Sequence, residues 1–323
     1  MKKILFVAND PGGYDVINPL FERFSKINKL ETAIMLTGKA AEKAEKEEKT
    51  IDDIKRELQK NTNCIKDVLL VTGTSWNSEI EVNAIRYCKT NNIKTVSILD
   101  YWSNYKERFK LGEDYEFPDY YFVMDEMAAS EAEDDGINKS IIRVVGTPGL
   151  DYFINKKIEV NQNGNVVFLS QPLSVIYGNN LGYTEYEAFE QVIKACEKLK
   201  FKVHIKFHPK DDELFKEKYK AYSIEGDLKN LCELNEYIVG MSTMGLLQCA
   251  LMGAKVISFQ PGLIKKDMSI VNKLGITKGA FSYSDLISRL QKDGKEVMKN
   301  KPFWMDGNSI ERCVKEIEKI ISN

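Results

Sequence analysis

The stretch KVHIKFHPKDDE places His208 just after a β-branched run and just before Pro209, which ends a strand because it has no N–H to give to a ladder. Ligands of α/β proteins collect past the carboxyl ends of parallel strands. An imidazole there can donate to a phosphate oxygen and favour departure of an anionic group, with Lys206 and Lys210 adding positive charge. His204 lies four residues earlier on the same strand face and reads as a packed histidine. A second strand exit, GMSTMGLLQCALMG, opens a helix at Ser242 or Thr243. Free N–H groups and the dipole at a helix start favour a phosphate, and the same Ser242 can equally serve as a cap. A third exit, FLSQPLSVIYGNNLGYTEYEAFE, sets Ser170, Gln171, Tyr177 and Gly178 where they could read a base or sugar, or only satisfy a turn.

Three more exits lie in the first half of the chain. VANDPGGYDVINPL carries Asp10 and Asp15, candidate general bases for an acceptor hydroxyl, beside Gly12 and Gly13, which allow close backbone approach. Its pattern is not the dinucleotide fingerprint, and an Asp capping an ordinary helix is the competing reading. VTGTSWNSE and LDYWSNYKERF supply Thr74, Ser75, Trp76, Asp100, Trp102, Asn104, Tyr105 and Arg108. Aromatic faces stack on sugars and Arg pairs with carboxylate or phosphate, so these could line an acceptor pocket; the same aromatics could instead make a domain or subunit contact. Asp100 joins Asp10 and Asp15 as a candidate base. No D-x-D stands at a strand exit and only 2 histidines are present, so neither a metal nor a separate cofactor is expected.

These exits need a scaffold of parallel strands. The runs KILFVA, TAIMLT, DVLLVTG, KTVSIL, DYYFVM and IIRVVG alternate with helical stretches, and NVVFLS, KVHIKFHP, EYIVGMS and AKVISFQP restart the pattern. The expectation is an α/β chain of two Rossmann-like domains with parallel sheets, divided as residues 1–150 and 151–323, with a linker in 146–164. Lys39 to Lys60 reads as a solvated helix laced with i,i+4 pairs.

At 323 residues the chain suits two domains of roughly 150 residues each. Lys and Arg total 46 against 48 for Asp and Glu, which leaves no nucleic-acid footprint. The apolar run Ile4 to Ala8 is a first strand rather than a signal peptide, and no stretch reaches the ~20 apolar residues of a membrane span, so membrane contact is confined to the peripheral kind. The 6 scattered cysteines read as reduced thiols of a cytoplasmic protein.

The VVGTPGLD junction, the strand ending in His-Pro, the Gly-Met-Ser-Thr helix start and the DGNSIERCVKEIEKI terminus together resemble the GT-B glycosyltransferase superfamily. The resemblance runs toward capsule glycosyltransferases, sialyltransferases with a His-Pro motif, polyglycerolphosphate transferases and UDP-GlcNAc 2-epimerases. It implies a C-terminal domain that binds a nucleotide, an N-terminal domain that binds an acceptor across a cleft, and a last helix that crosses back to the first domain. Ile310, Val314, Ile317 and Ile321 suit that helix. Where many relatives place a Glu for the donor ribose, this chain offers Gln248.

The expectation is a metal-independent glycosyltransferase of cell-surface polysaccharide assembly, using a CMP- or UDP-type nucleotide-sugar as substrate and a glycan as acceptor. Donor phosphate would sit on His208, Ser242 and Thr243. A nucleotide-sugar epimerase or hydrolase, and a non-catalytic nucleotide-sugar-binding subunit, are the alternatives.

Overall fold

The computed structural model describes residues 2–60, 67–75, 78–291 and 302–322. They form two compact units, Met1–Tyr152 with Pro302–Asn323, and Phe153–Lys301.

The first unit is built on β1 (Lys2–Ala8), β2 (Leu30–Leu36), β3 (Val68–Thr72) and β4 (Lys94–Ile98). After the small antiparallel hairpin β5 (Lys110–Leu111) and β6 (Asp114–Tyr115) come β7 (Tyr120–Val123) and β8 (Ile142–Val144). Six of these make a parallel sheet in the order β2-β1-β3-β4-β7-β8. Helices α1 (Pro11–Phe24), α2 (Gly38–Lys43), α3 (Ile51–Gln59), α4 (Ile80–Thr90) and α5 (Glu126–Asp134) connect the strands, and α6 (Pro148–Asn155) follows β8 and contains the division between the units at Tyr152 and Phe153. Ile4 to Ala8 of β1 are fully buried, as befits a central parallel strand covered on both faces. From β1 the chain steps out to β2 and then returns past β1 to β3, so the exits of β1 and β3 form the switch point where such sheets place ligands.

The second unit repeats the device with four parallel strands, β9 (Asn165–Leu169), β10 (Lys202–Lys206), β11 (Tyr237–Gly240) and β12 (Lys255–Ser258), in the order β10-β9-β11-β12. Here the switch point lies between β9 and β11. Its helices are α7 (Leu173–Tyr177), α8 (Glu185–Leu199), α9 (Glu213–Tyr219), α10 (Leu228–Leu234), α11 (Met244–Met252), α12 (Ile270–Lys273) and α13 (Tyr283–Leu290). Phe168, Phe189, Phe215 and Val239 centre its core.

The last helix, α14 (Ser309–Ser322), belongs to the first unit and puts Cys313, Val314, Ile317 and Ile320 into the core around Ile4, Phe6 and Ile17. Its apolar stripe is rotated slightly from the sequence reading, leaving Ile310 and Ile321 at the margin. The expected solvated helix over Lys39 to Lys60 is two helices, because Thr50 and Asp53 form a capping box that starts α3 afresh. Among the described residues no helix is long and apolar enough to cross a membrane.

Candidate functional site

At the switch point of the first unit, Asp10 follows β1 and caps α1, its Oδ1 accepting the Gly13 N–H at 2.7 Å. Asp100, past the end of β4, is held by the nearly buried Arg108, Nη1 to Oδ1 at 2.6 Å. Arg108 also donates to the Thr74 carbonyl and Oγ1 and, through Nε, to the Ser103 carbonyl at 3.0 Å, so one guanidinium ties the β3 and β4 exits together. The glycine pair is explained by sterics. A Cβ on Gly12 would stand 1.9 Å from Asp100 Oδ2; one on Gly13 would stand 3.1 Å from Asp10 Oδ1, 3.3 Å from the Gly73 Cα and 3.5 Å from Glu81 Oε1.

Glu81 is a residue that sequence reasoning missed. It lies in the first turn of α4, is 2% exposed, and accepts the Asn9 N–H at 3.3 Å on Oε1 and the Ser75 N–H at 2.8 Å on Oε2. Burial, with Asp10 adding like charge, pushes its pKa up to about 7. Burial and the neighbouring Asp100 also raise Asp10, against the pull of the Gly13 N–H. A signal was present: Glu81, Ile85 and Cys88 share one helical stripe, so an acid stood on the buried face of α4.

The other residues expected in this half divide. Ser75, Asn104 and Arg108 come together around a pocket of about 370 Å³, with Glu79, Glu107 and Lys110 on its wall. Asp15 pairs with Lys43 of α2 at 2.5 Å. Trp102 is buried, its indole N–H donating to Asp125 Oδ2 at 3.0 Å, an oxygen that also takes the Trp304 N–H at 3.2 Å. Tyr105 is buried and donates to Glu131. Both aromatics are thus engaged in packing within the unit. Trp76 lies outside the described residues.

In the second unit, Gln171 past β9 and Ser242 past β11 meet across the switch point, the Ser242 N–H donating to Gln171 Oε1 at 2.8 Å. Thr243 is the cap of α11, its Oγ1 accepting the Gly245 N–H at 3.2 Å. Ser170 is buried beside them, Gln248 is half-buried on α11, and Tyr177 and Gly178 are exposed at the end of α7. His208 accepts the Lys210 N–H on Nδ1 at 3.1 Å, which puts the neutral ring's proton on Nε2, and its own backbone N–H binds Asp211 Oδ2 at 2.7 Å. Burial, then Lys210 and Lys216, lower its pKa, so the ring is a neutral Nε2–H donor at pH 7. Lys206 Nζ is spent on the Gly226 carbonyl at 2.8 Å, while Lys210 is exposed. His204 is half-buried and its Nδ1 has no partner. Among the described residues no group of three or more His, Cys, Asp or Glu side chains is arranged to hold a metal ion.

No protein-family model matches the sequence, and no curated protein does. Solved structures do. The UDP-GlcNAc 2-epimerase of Methanocaldococcus jannaschii superposes with a TM-score of 0.67 at 15% identity, covering 98% of this chain and 99% of that one. The Neisseria meningitidis UDP-GlcNAc 2-epimerase, bound to UDP-GlcNAc, gives 0.62 at 11%, covering 98% and 100%. The Rickettsia bellii UDP-N-acetylglucosamine 2-epimerase gives 0.62 at 12%, covering 99% and 96%. At such identities the likeness shows the fold, which is the GT-B-like α/β architecture expected from the sequence. The glycosyltransferase reading is corrected by the same finding: these full-length structural neighbours are epimerases, whose fold is shared with glycosyltransferases, so the resemblance read from the sequence had the architecture without the reaction.

Proposed function

We propose that the chain is a nucleotide-sugar epimerase acting on a UDP-sugar of the N-acetylhexosamine class. The observation that carries the reading is the end-to-end likeness to UDP-GlcNAc 2-epimerases. It is supported by the acid/base groups at the strand exits of the first unit. Inverting a carbon that bears hydrogen requires one proton to leave and one to arrive, hence at least two titratable groups near the sugar. The first unit supplies Asp10 and Asp100 around Gly12 and Gly13, with Glu81 behind them. A raised pKa lets Asp10 hold a proton closer to neutrality than a free carboxyl does. In this reading the second unit holds the nucleotide. The start of α11 and the His208 Nε2–H donate to the diphosphate, and residues past β9 meet the nucleoside.

Incubation with UDP-GlcNAc alone in deuterated water tests this. Proton NMR should show deuterium entering the sugar carbon that inverts, together with the UDP-ManNAc epimer. A protein that binds UDP-GlcNAc yet neither exchanges that proton nor forms the epimer would exclude the activity.

A further inference from the structure

We propose that Glu81 is a positioning residue: its carboxylate clamps the exits of β1 and β3 to each other and so sets where Asp10 stands against Asp100. The geometry is that of a two-handed acceptor. One oxygen holds the Asn9 N–H, adjacent to Asp10, and the other holds the Ser75 N–H, adjacent to Thr74 and its bond to Arg108. The loops it joins already touch, since a Cβ on Gly73 would stand 2.6 Å from the Gly13 Cα and 3.1 Å from Glu81 Oε1. Glu81 is too buried to reach a substrate, so it acts through Asp10.

The clamp depends on charge. An ionised carboxylate accepts strongly on both oxygens, whereas a protonated one has a hydroxyl oxygen that accepts weakly and must turn its hydrogen away from the N–H it faces. The longer contact, to Asn9 at 3.3 Å, is the one released first. The charged group facing Glu81 is Asp10 from the β1 exit, with Asp100 and Arg108 behind it from the β4 side. No basic side chain is paired with Glu81 among the described residues. Because the folded-state value is raised to about 7, the stability that Glu81 contributes is present below the ordinary glutamate value and is lost as pH rises through 7. The fold therefore gives up stability at alkaline pH to keep an ionised clamp.

The test uses Glu81→Gln in the full chain, with an amide readout that does not depend on activity. In wild type the Asn9 and Ser75 amide resonances should move together with pH, with a midpoint near 7. In the variant neither should titrate there. The kinetic readout rests on the epimerase reading: kcat at pH 8 should fall on the order of 100-fold with KM little changed, and the acid limb near pH 7 should vanish. The wild-type melting temperature should fall as pH rises through 7, and that fall should be absent in the variant, because glutamine carries no titrating charge; a glutamate without a clamping role would leave the acid limb of kcat in place. Amides that do not move in wild type, or a variant with unchanged kcat and pH profile, would overturn the proposal. If wild type leaves UDP-GlcNAc untouched while both amides titrate and the variant abolishes that titration, the clamp stands and the epimerase reading falls.

Discussion

Gln171 Oε1 and the backbone N–H of Ser242 are joined at 2.8 Å, so the β9 exit occupies a donor that a phosphate at the start of α11 would use. Gln171→Ala leaves that largely buried N–H unpaired, and a loss of about 1–3 kcal/mol is expected in urea denaturation. If phosphate takes up the freed donor, saturating UDP should stabilise the variant more than wild type and narrow the gap. A gap that UDP leaves unchanged would place the diphosphate elsewhere.

For His208, the fixed Nδ1 acceptor predicts that the Nε2 side does the work. His208→Ala should lower turnover by roughly 100- to 1,000-fold, the scale for removing one donor to developing charge, with a smaller loss of UDP affinity. His208→Gln, whose amide can imitate Nε2–H, should recover part of it. The lowered pKa means that the stability tied to the neutral ring is present above the free-histidine value and is lost as pH falls toward the folded one. A His208→Ala protein that melts early but turns over normally would make the residue structural.

Gly12→Ala is a probe of the carboxylate cluster that spares its members. The added methyl would stand 1.9 Å from Asp100 Oδ2 and should push that carboxylate off Arg108. Separating a buried ion pair costs about 3–5 kcal/mol, so the melting temperature should fall, and turnover of the protein kept folded below that transition should drop as well. Full activity in Gly12→Ala would remove Asp100 from the reaction.

Trp102→Phe keeps a ring and removes one of the two indole donors on Asp125. The expected cost is about 1 kcal/mol of stability with turnover of the folded protein unchanged. Turnover lost at unchanged melting temperature would return Trp102 to substrate recognition.

The strand exits were legible because a parallel strand buried on both faces announces itself as an unbroken apolar run, and whatever polar residue follows stands at its end. Asp10, Asp100, Gln171, Ser242 and His208 were found in this way. Partnership was harder to read. LDYWSNYKERF looks the same whether its aromatics face a sugar or the core, and only Asp125, 23 residues beyond Trp102, shows that this indole points inward. Glu81 was hidden by the opposite prejudice: a charge in the first turn of a helix usually answers the dipole in solvent, and its apolar stripe went unweighed. The hairpin Lys110–Tyr115 rests on a Gly112 with φ of +63°, a turn too short to register as strand periodicity.

The first unit is discontinuous, and this sets an order on its birth. A ribosome delivers β1 to β8 early, yet Trp304 and the α14 residues that complete that core emerge only after the whole of the second unit has been made. The continuous second unit can therefore finish folding while the older sheet still waits with α1 uncovered, and a nascent chain stalled before Pro302 would present that unfinished face to chaperones.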